Sequence, residues 1–235
     1  MLRDTERELY WSLAFGTSDS KNKIKKITDK LGAMNDENNK NETKKPVPLY
    51  EEGESLDALK AVPSLGIDPE TGKEVFVKKD GSLTTIWDYN DKVVCGTTDP
   101  KFRGTLNSFL TFKGISLNMS FNFQWGGQTY NQTLASRVDP NSNCDRRVLY
   151  DRWKKPGDRT FFKNIALEEN VSNLTTRFVQ DYNYFQIGSI SLGYEMRREL
   201  CRKIGLTGLR FNFNMGDIAR FSSVKEERGL SYPFA

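Results

Sequence analysis

Strict alternation of apolar and polar side chains marks the middle of the chain. Residues 115–124 carry an apolar side chain at every odd position and Ser, Asn or Gln at every even position. Because successive side chains of a β-strand point to opposite faces, this stretch predicts a strand with one apolar face and one uncharged polar face. At about 3.3 Å per residue and a tilt of roughly 45°, ten residues span about 24 Å, close to the apolar band of an outer-membrane barrel.

Four other stretches show related patterns. The alternation is clear at 209–215 and 8–17, and weaker at 184–194. A further strand is predicted at 105–112, and only Lys113-Gly114 separates it from the strand at 115–124. So short a connection between two long strands predicts an antiparallel hairpin. The chain is therefore predicted to be all-β.

Two long segments, 18–72 and 126–182, lose the two-residue period. They are predicted to be long loops, with one short helix near 24–34. After the first loop, 74–81 is predicted to be a small hairpin strand that ends in an Asp-Gly turn. Short connections at one end of the strands and long loops at the other are typical of bacterial outer-membrane barrels.

Composition excludes several classes of function. Mean hydropathy is −0.64 and no apolar run approaches 18 residues, which excludes a transmembrane helix. The chain has no histidine, which removes His-based catalytic triads and the usual zinc sites. The 35 basic and 31 acidic residues are interspersed, so basic runs are interpreted as solvated connections and no nucleic-acid partner is predicted. No metal or cofactor is predicted.

The three cysteines lie far apart and form no ligand cluster. A disulfide between Cys95 and Cys144 is possible in an oxidising compartment. The odd number of cysteines argues against a disulfide framework.

Several longer phrases of the sequence carry a family resemblance. The most distinctive are Gly-Thr-Thr-Asp-Pro-Lys-Phe at 96–102 and the phrase at 145–158, which ends in Asp-Arg-Trp-Lys-Lys-Pro-Gly-Asp. Further phrases lie at 49–56, 64–74 and 227–234. Together they resemble the C-terminal part of the SusC/RagA family of TonB-linked outer-membrane transporters of Bacteroidota. The resemblance covers nearly the whole chain.

The resemblance implies residues 1–235 are a portion of a large transmembrane antiparallel β-barrel of the 22-stranded plugged type. Loops 18–72 and 126–182 would then be extracellular. Residues 2–8 are too charged for a signal peptide, which indicates a fragment. The plug domain is expected to be absent because the resemblance is to the C-terminal part of the family, and the last strand because the chain stops at Ala235 after Tyr-Pro-Phe. The chain is therefore expected to be a fragment that does not transport alone.

The function implied by the resemblance is TonB-dependent import of nutrients across the outer membrane. A SusD-like surface lipoprotein would deliver oligosaccharides or peptides, and TonB would act through the part of the protein expected to be missing. Lipid of the outer membrane would surround the barrel. The chain is predicted not to be an enzyme.

Aromatic and planar polar side chains of loops are candidates for ligand or partner contact, because such groups stack on and hydrogen-bond to sugars. The candidates are Trp87, Tyr130, Asn131, Arg137, Asp151 and Trp153. No catalytic residue is predicted. Asp68, Glu70 and Asp99 indicate a calcium site only weakly, because no EF-hand spacing accompanies them.

Two alternatives from other classes remain. Alternating strands are equally natural in a soluble β-sandwich that binds carbohydrate, provided that the apolar faces of two sheets meet in a closed core. A glycosidase would need a pair of carboxylates such as Asp151 and Glu168, and nothing in the spacing selects that pair.

Overall fold

The computed structural model describes residues 2–4, 9–40, 46–137, 151–167 and 173–224. They form two compact units. We call Met1–Asp19, Pro100–Gly126 and Asn183–Ser223 the wall unit, and Ser20–Asp99, Gly127–Tyr182 and Val224–Ala235 the loop unit. In the described part, no helix is long and apolar enough to cross a membrane.

Strands dominate both units. In chain order the strands are β1 (Leu2–Asp4), β2 (Leu9–Ser18), β3 (Ala58–Ala61), β4 (Ser64–Ile67), β5 (Glu74–Val77), β6 (Leu83–Thr84), β7 (Val93–Thr97), β8 (Phe102–Phe112), β9 (Ile115–Tyr130), β10 (Val179–Glu195) and β11 (Arg210–Ser222). The helices are α1 (Asp29–Lys40), α2 (Gln132–Arg137) and α3 (Arg198–Lys203). The prediction of strands at 8–17, 105–112, 115–124, 184–194 and 209–215 is confirmed.

The wall unit is built on one sheet, with the strand order β1-β2-β8-β9-β10-β11 among the described residues. The pairs β2–β8, β8–β9 and β10–β11 are antiparallel. Residues that face each other across such pairs share a face of the sheet. The register therefore decides which side chains lie together.

One face of the wall sheet is apolar. The register aligns Phe15 with Leu106 and Leu106 with Phe121, and Phe121 stacks on Phe185 with ring centroids 5.8 Å apart. This apolar face also carries Trp11, Leu13, Leu110, Phe112, Ile115, Leu117, Met119, Phe123, Trp125, Leu192, Tyr194, Phe211, Phe213, Met215 and Phe221. Phe15 is 66% exposed and Phe213 58% exposed. No second sheet covers this face within the described wall unit, so the closed core that a β-sandwich needs is not formed there.

The opposite face is polar and largely uncharged. On β9 it carries Ser116, Asn118, Ser120, Asn122 and Gln124. On β8 their partners include Asn107 and Thr105, and on β2 the small Ser12 and Gly16 continue this face. We call it the polar face. The two-faced strand predicted from the alternation is confirmed.

A β-bulge explains the weaker alternation of β10. Ile187 pairs with Ala219 and Ser189 pairs with Gly216, so Gly188 is the single β10 residue opposite two residues of β11. The alternation along β10 changes phase at this register shift. Phe185, which stacks on Phe121, and Ile187 lie on the apolar face before it, and Ile190, Leu192 and Tyr194 lie on the same face after it.

The hairpin between β8 and β9 depends on two residues with positive φ. Lys113 has φ 49° and Gly114 has φ 85°, which is the pattern of a two-residue type I′ turn. Gly114 also approaches the neighbouring connection closely, since its carbonyl accepts a hydrogen bond of 2.8 Å from the Glu195 amide. The predicted hairpin is confirmed.

The loop unit contains more regular structure than the sequence indicated. β3 pairs with β7, and β4, β5 and β6 form a three-stranded sheet whose last turn is the predicted Asp80-Gly81 turn. The predicted helix near 24–34 instead begins at Asp29 and ends at Lys40. Strands of four residues are too short to show a two-residue period, so the prediction of a loop with one short helix at 18–72 missed β3 and β4.

A hydrophobic core holds the loop unit together. Its buried members are Ala61, Tyr130, Leu134, Ala135, Phe162, Leu174 and Phe178. They come from β3, β9, α2 and the segments 151–167 and 173–178, which are far apart in sequence. The segment 126–182 therefore contributes α2, the end of β9 and the start of β10, rather than loop alone.

Candidate functional site

A cavity of about 550 Å³ lies in the loop unit. Its lining includes Lys73, Glu74, Phe76, Trp87, Lys163 and Asn173. This volume falls within the range of small-molecule sites, about 300–1,000 Å³. We call it the Trp87 cavity. Its walls combine one indole, one carboxylate, two ammonium groups and one amide, which together can stack on and hydrogen-bond to a polar ligand.

Glu74 is the most strongly constrained side chain of the Trp87 cavity. Strand β5 alternates, and it turns Glu74 and Phe76 inward while Val75 and Val77 lie nearer the surface. Glu74 is only 7% exposed. Its Oε1 accepts a hydrogen bond of 2.7 Å from Ser64 Oγ, and its Oε2 lies 3.1 Å from Arg177 Nη1. These contacts fix the carboxylate and offset the cost of burying its charge.

Arg177 is buried with its partner. Its guanidinium carbon lies 4.5 Å from the centroid of the Phe161 ring and 5.5 Å from that of Phe178. Such cation–π contacts stabilise a desolvated guanidinium. Its Nη2 and the Tyr130 hydroxyl are both buried without a hydrogen-bond partner among the described residues. The guanidinium of Arg177 is thus held mainly by its salt bridge with Glu74 and by two aromatic rings.

Trp87 is anchored at one end of its ring. Its Nε1 donates a hydrogen bond of 3.2 Å to the Leu174 carbonyl, and the side chain packs against the core of the loop unit. Lys92 Nζ lies 6.0 Å from the ring centroid. Lys92 is 6% exposed, its Nζ has no hydrogen-bond partner in the described part of the chain, and burial lowers its pKa. A rigid indole beside a cavity is a suitable stacking surface.

The structure places the other predicted contact residues in different settings. Tyr130 is a buried core residue. Asn131 is 1% exposed, and its Oδ1 accepts a hydrogen bond of 2.9 Å from the Leu134 amide at the start of α2. Arg137 is exposed at the end of α2. These placements give Asn131 a helix-capping role and leave Arg137 accessible to solvent.

Asp151 and Trp153 belong to a local substructure. Phe162 donates its amide to the Asp151 carbonyl at 3.1 Å, and the buried Trp153 donates Nε1 to the Pro69 carbonyl at 2.8 Å. Gly72, at φ 71°, lies directly against the Trp153 ring, so that a Cβ there would be 2.6 Å from Trp153 Cδ2. Trp153 thus supports the turn after β4.

Of the six predicted residues, only Trp87 lines the Trp87 cavity, and Tyr130 lies in the core cluster behind it. Sequence reasoning missed Glu74, Lys73, Lys163 and Asn173. Glu74 offered one signal, an acidic residue in phase with Phe76 on a predicted strand. Ligand-contact roles for the six predicted residues stay a prediction.

No group of three or more possible ligands is placed to hold a metal ion in the described ranges. Asp68 instead accepts hydrogen bonds from the Thr71 hydroxyl and the Glu70 amide. These bonds, that of Thr71 above all, lower the pKa of Asp68. Cys95 is a free thiol 3.2 Å from the Leu59 carbonyl. Cys144 and Glu168, and with them the possible disulfide and the carboxylate pair, lie outside the described residues.

Comparison with curated proteins finds receptors of one kind. The chain is similar to TonB-dependent receptor P3 of Formosa agariphila, at 24% identity over 235 residues, which cover 93% of this chain and 23% of that receptor. It is also similar to TonB-dependent receptor P39 of the same organism, at 23% identity over 159 residues, or 65% of this chain and 15% of the receptor. No protein-family model matches the chain.

Solved structures share the fold. The match to a structure of the RagAB peptide transporter covers 98% of this chain and 25% of the RagAB chain, with a TM-score of 0.72 and 15% identity. The match to the RagAB peptide importer in its open-open state covers 98% of this chain and 24% of the importer chain, with a TM-score of 0.70 and 15% identity. At this identity the likeness shows the fold alone. The chain spans about a quarter of the length of these proteins.

These comparisons confirm the resemblance to SusC/RagA-type TonB-dependent transporters, and the fold class of part of a barrel wall. The relatives are receptors and transporters rather than enzymes. The number of strands in the closed barrel stays a prediction.

Proposed function

We propose that the whole protein is a TonB-dependent importer of the outer membrane. In this proposal the wall unit is a section of its transmembrane barrel, and the loop unit lies on the extracellular side. The chain supplies a section of the wall and does not transport alone. TonB would act on another part of the protein.

The exposed apolar face of the wall sheet is the observation that carries this proposal. Burying apolar surface is worth about 25 cal/mol per Å², so a water-soluble protein would cover so large a face. Lipid satisfies it without a second layer of protein. The polar face then borders the lumen, and its Ser, Asn and Gln side chains suit a water-filled interior.

For substrate and partner, we propose oligosaccharides or peptides that a SusD-like surface lipoprotein delivers. The Trp87 cavity supports a polar ligand of either class, because an indole stacks on sugars and a buried carboxylate with an amide accepts and donates hydrogen bonds. The peptide transport named for the RagAB structures supports peptides as one class. Trp87 and Glu74 are the residues that we expect to contact the ligand.

A matched pair of labels tests the barrel. Leu192 and Ser191 are neighbours on β10 that lie on the apolar and polar faces. In the full-length protein, with its native cysteines replaced, each position is changed to cysteine in turn and spin-labelled in outer membranes. We expect oxygen, which concentrates in lipid, to broaden the spectrum of the label at 192. A water-soluble nickel complex should broaden the spectrum of the label at 191. Equal access of the nickel complex to both labels would exclude the barrel.

Growth tests the import. Deletion of the gene should abolish growth on one oligosaccharide or peptide mixture and leave growth on its monomers intact. The Trp87→Ala and Glu74→Gln variants should impair the same growth, while Glu70→Gln, at an exposed position close in sequence, should not. Unchanged growth of the deletion strain on every polymer that the organism uses would contradict import.

A further inference from the structure

A second cavity, of about 530 Å³, lies in the wall unit at the end of the sheet that carries the Lys113-Gly114 turn. Its lining includes Phe109, Ser116, Arg197, Arg198, Arg210 and Asn212. We call it the arginine cavity. Phe109 pairs with Asn118 and with Ser12, so this cavity opens on the polar face.

A glycine lies against two of the side chains that line the arginine cavity. Gly193 is buried on the polar face, and a Cβ there would overlap Ser116 Oγ and lie 3.1 Å from Asn212 Oδ1. Any larger residue at 193 would therefore displace both polar side chains. The missing side chain leaves room for the hydroxyl and the amide of these two lining residues.

The charges around the arginine cavity are unbalanced. Arg210 Nη2 lies 2.6 Å from Glu195 Oε2, and both side chains are more than half exposed. Arg197 and Arg198 form no ion pair in the described structure. The lining of the cavity thus includes three arginines and a single acidic residue, Glu195. A guanidinium binds carboxylate or sulfate through two parallel hydrogen bonds, so the unmatched arginines favour an anion.

An aromatic ring completes the lining. Phe109 packs edge to face with Tyr10, at 6.0 Å between ring centroids, which holds it in place on an otherwise polar face. A ring next to guanidinium, hydroxyl and amide groups suits a ligand that has both an apolar surface and an acidic group. A sugar acid and an acidic peptide each have both.

We propose that the arginine cavity binds an anionic group, a carboxylate or a sulfate, on a ligand that contacts Phe109. Arg197 and Arg198 hold the anion, and Ser116 and Asn212 bind its neighbouring polar groups. That this cavity lies on the import route rests on the proposed function, in which the polar face borders the lumen of the barrel. The binding itself requires only the wall unit as described.

Calorimetry on the purified full-length protein in detergent tests this inference. The probes are trigalacturonate, a tri-glutamate peptide and the neutral maltotriose. At least one acidic probe should bind, more weakly as salt rises, and the neutral sugar should bind at least about tenfold more weakly because it cannot accept charge-assisted hydrogen bonds. The acidic probe that binds identifies a saccharide or a peptide source.

Two double variants of equal charge change locate the site. Arg197→Gln with Arg198→Gln removes two guanidinium groups of the lining and should weaken binding of the acidic probe at least about tenfold. Arg202→Gln with Lys203→Gln removes two exposed charges of α3 that do not line the cavity, and should change affinity less than about twofold. Equal losses in both would show a general charge effect and overturn the proposal.

Gly193→Ser tests the cavity independently of charge. It should weaken binding of the acidic probe, and heat-modified mobility on gels should verify that the variant barrel is folded. Absence of binding by both acidic probes to the folded wild-type protein would overturn the inference. The spin-label result at 191 and 192 does not depend on the arginines, so failure here is distinguishable from failure of the proposed function.

Discussion

The wall unit and the loop unit place their largest apolar side chains in opposite environments. In the wall unit, Phe15 and Phe213 are more than half exposed, whereas in the loop unit Phe162 and Phe178 are almost fully buried. The wall sheet is one layer thick, so its apolar residues meet the surroundings. The loop unit packs its apolar residues against each other. The comparison shows that the same residue types form an exposed surface in one region and a protein core in the other.

The two units also differ in where they put charge. The polar face of the wall is built mostly from Ser, Asn, Thr and Gln, and its arginines, among them Arg103 and Arg210, lie toward the ends of the strands. The loop unit buries Glu74 with Arg177, and it buries Lys60, whose Nζ lies 2.6 Å from the exposed Glu51 and 2.7 Å from Glu54. Buried ion pairs need exact partners, and these side chains therefore specify one arrangement of the loop unit.

The largest effect should come from breaking a buried pair in the loop unit. Glu74→Ala leaves Arg177 buried without a counter-charge and should destabilise the loop unit by about 3–5 kcal/mol. Hydrogen exchange of residues 58–97 in the full-length protein measures this as faster exchange. Glu70→Ala, at an exposed position, is the control. Equal exchange in both variants would mean that the pair does not stabilise this unit.

A charge on the apolar face tests the wall unit next. Met119→Arg, at the middle of the span 115–124 on the apolar face, should destabilise the folded barrel by about 2–4 kcal/mol in lipid, because an arginine near the bilayer middle is costly. Ser120→Arg, one residue away on the polar face, should cost less than about 1 kcal/mol. Urea unfolding in lipid vesicles compares the two. A reversed order would assign lipid to the other face.

The hairpin turn offers a smaller effect within the wall unit. Gly114→Ala combines a positive φ with a Cβ placed 2.7 Å from the Glu195 carbonyl oxygen. It should cost about 1–3 kcal/mol, read from the same urea unfolding. Gly208→Ala, where a Cβ meets nothing within 4 Å, should change stability by less than about 0.5 kcal/mol. Similar losses of unfolding free energy in both variants would show that Gly114 has no steric role in the turn.

The smallest effect has the opposite sign and belongs to the loop unit. Lys92→Met removes a buried ammonium without a hydrogen-bond partner and should stabilise the unit by about 1 kcal/mol. Burial lowers the folded pKa of Lys92 below its ordinary value of 10.5. The unfolded chain then binds more protons between the two pKa values, so stability rises with pH in that window. Thermal unfolding against pH should show this slope in the wild type and lose it in the variant.

Prediction from sequence succeeded where local pattern decides the structure. The alternation at 115–124 and the Lys113-Gly114 turn are local, and both were predicted correctly. The alternation of β10 looked weaker because its register with β11 shifts at Gly188, and this shift depends on the pairing of the two strands. In the loop unit, Trp87 was recognised by residue type. Arg177 was missed, because its role depends on a partner in β5 that is distant in sequence.

The sequence by itself determined the two-faced strands, their antiparallel hairpin and the family resemblance, because each depends only on residues that are close together in the chain. The tertiary structure alone decided the rest. It determined the register shift between β10 and β11 and the common core of the two predicted loops. It also determined the contacts of Glu74 with Arg177 and of Gly193 with Ser116. Such contacts join residues far apart in the chain, and their free energy depends on burial and geometry that no local pattern records.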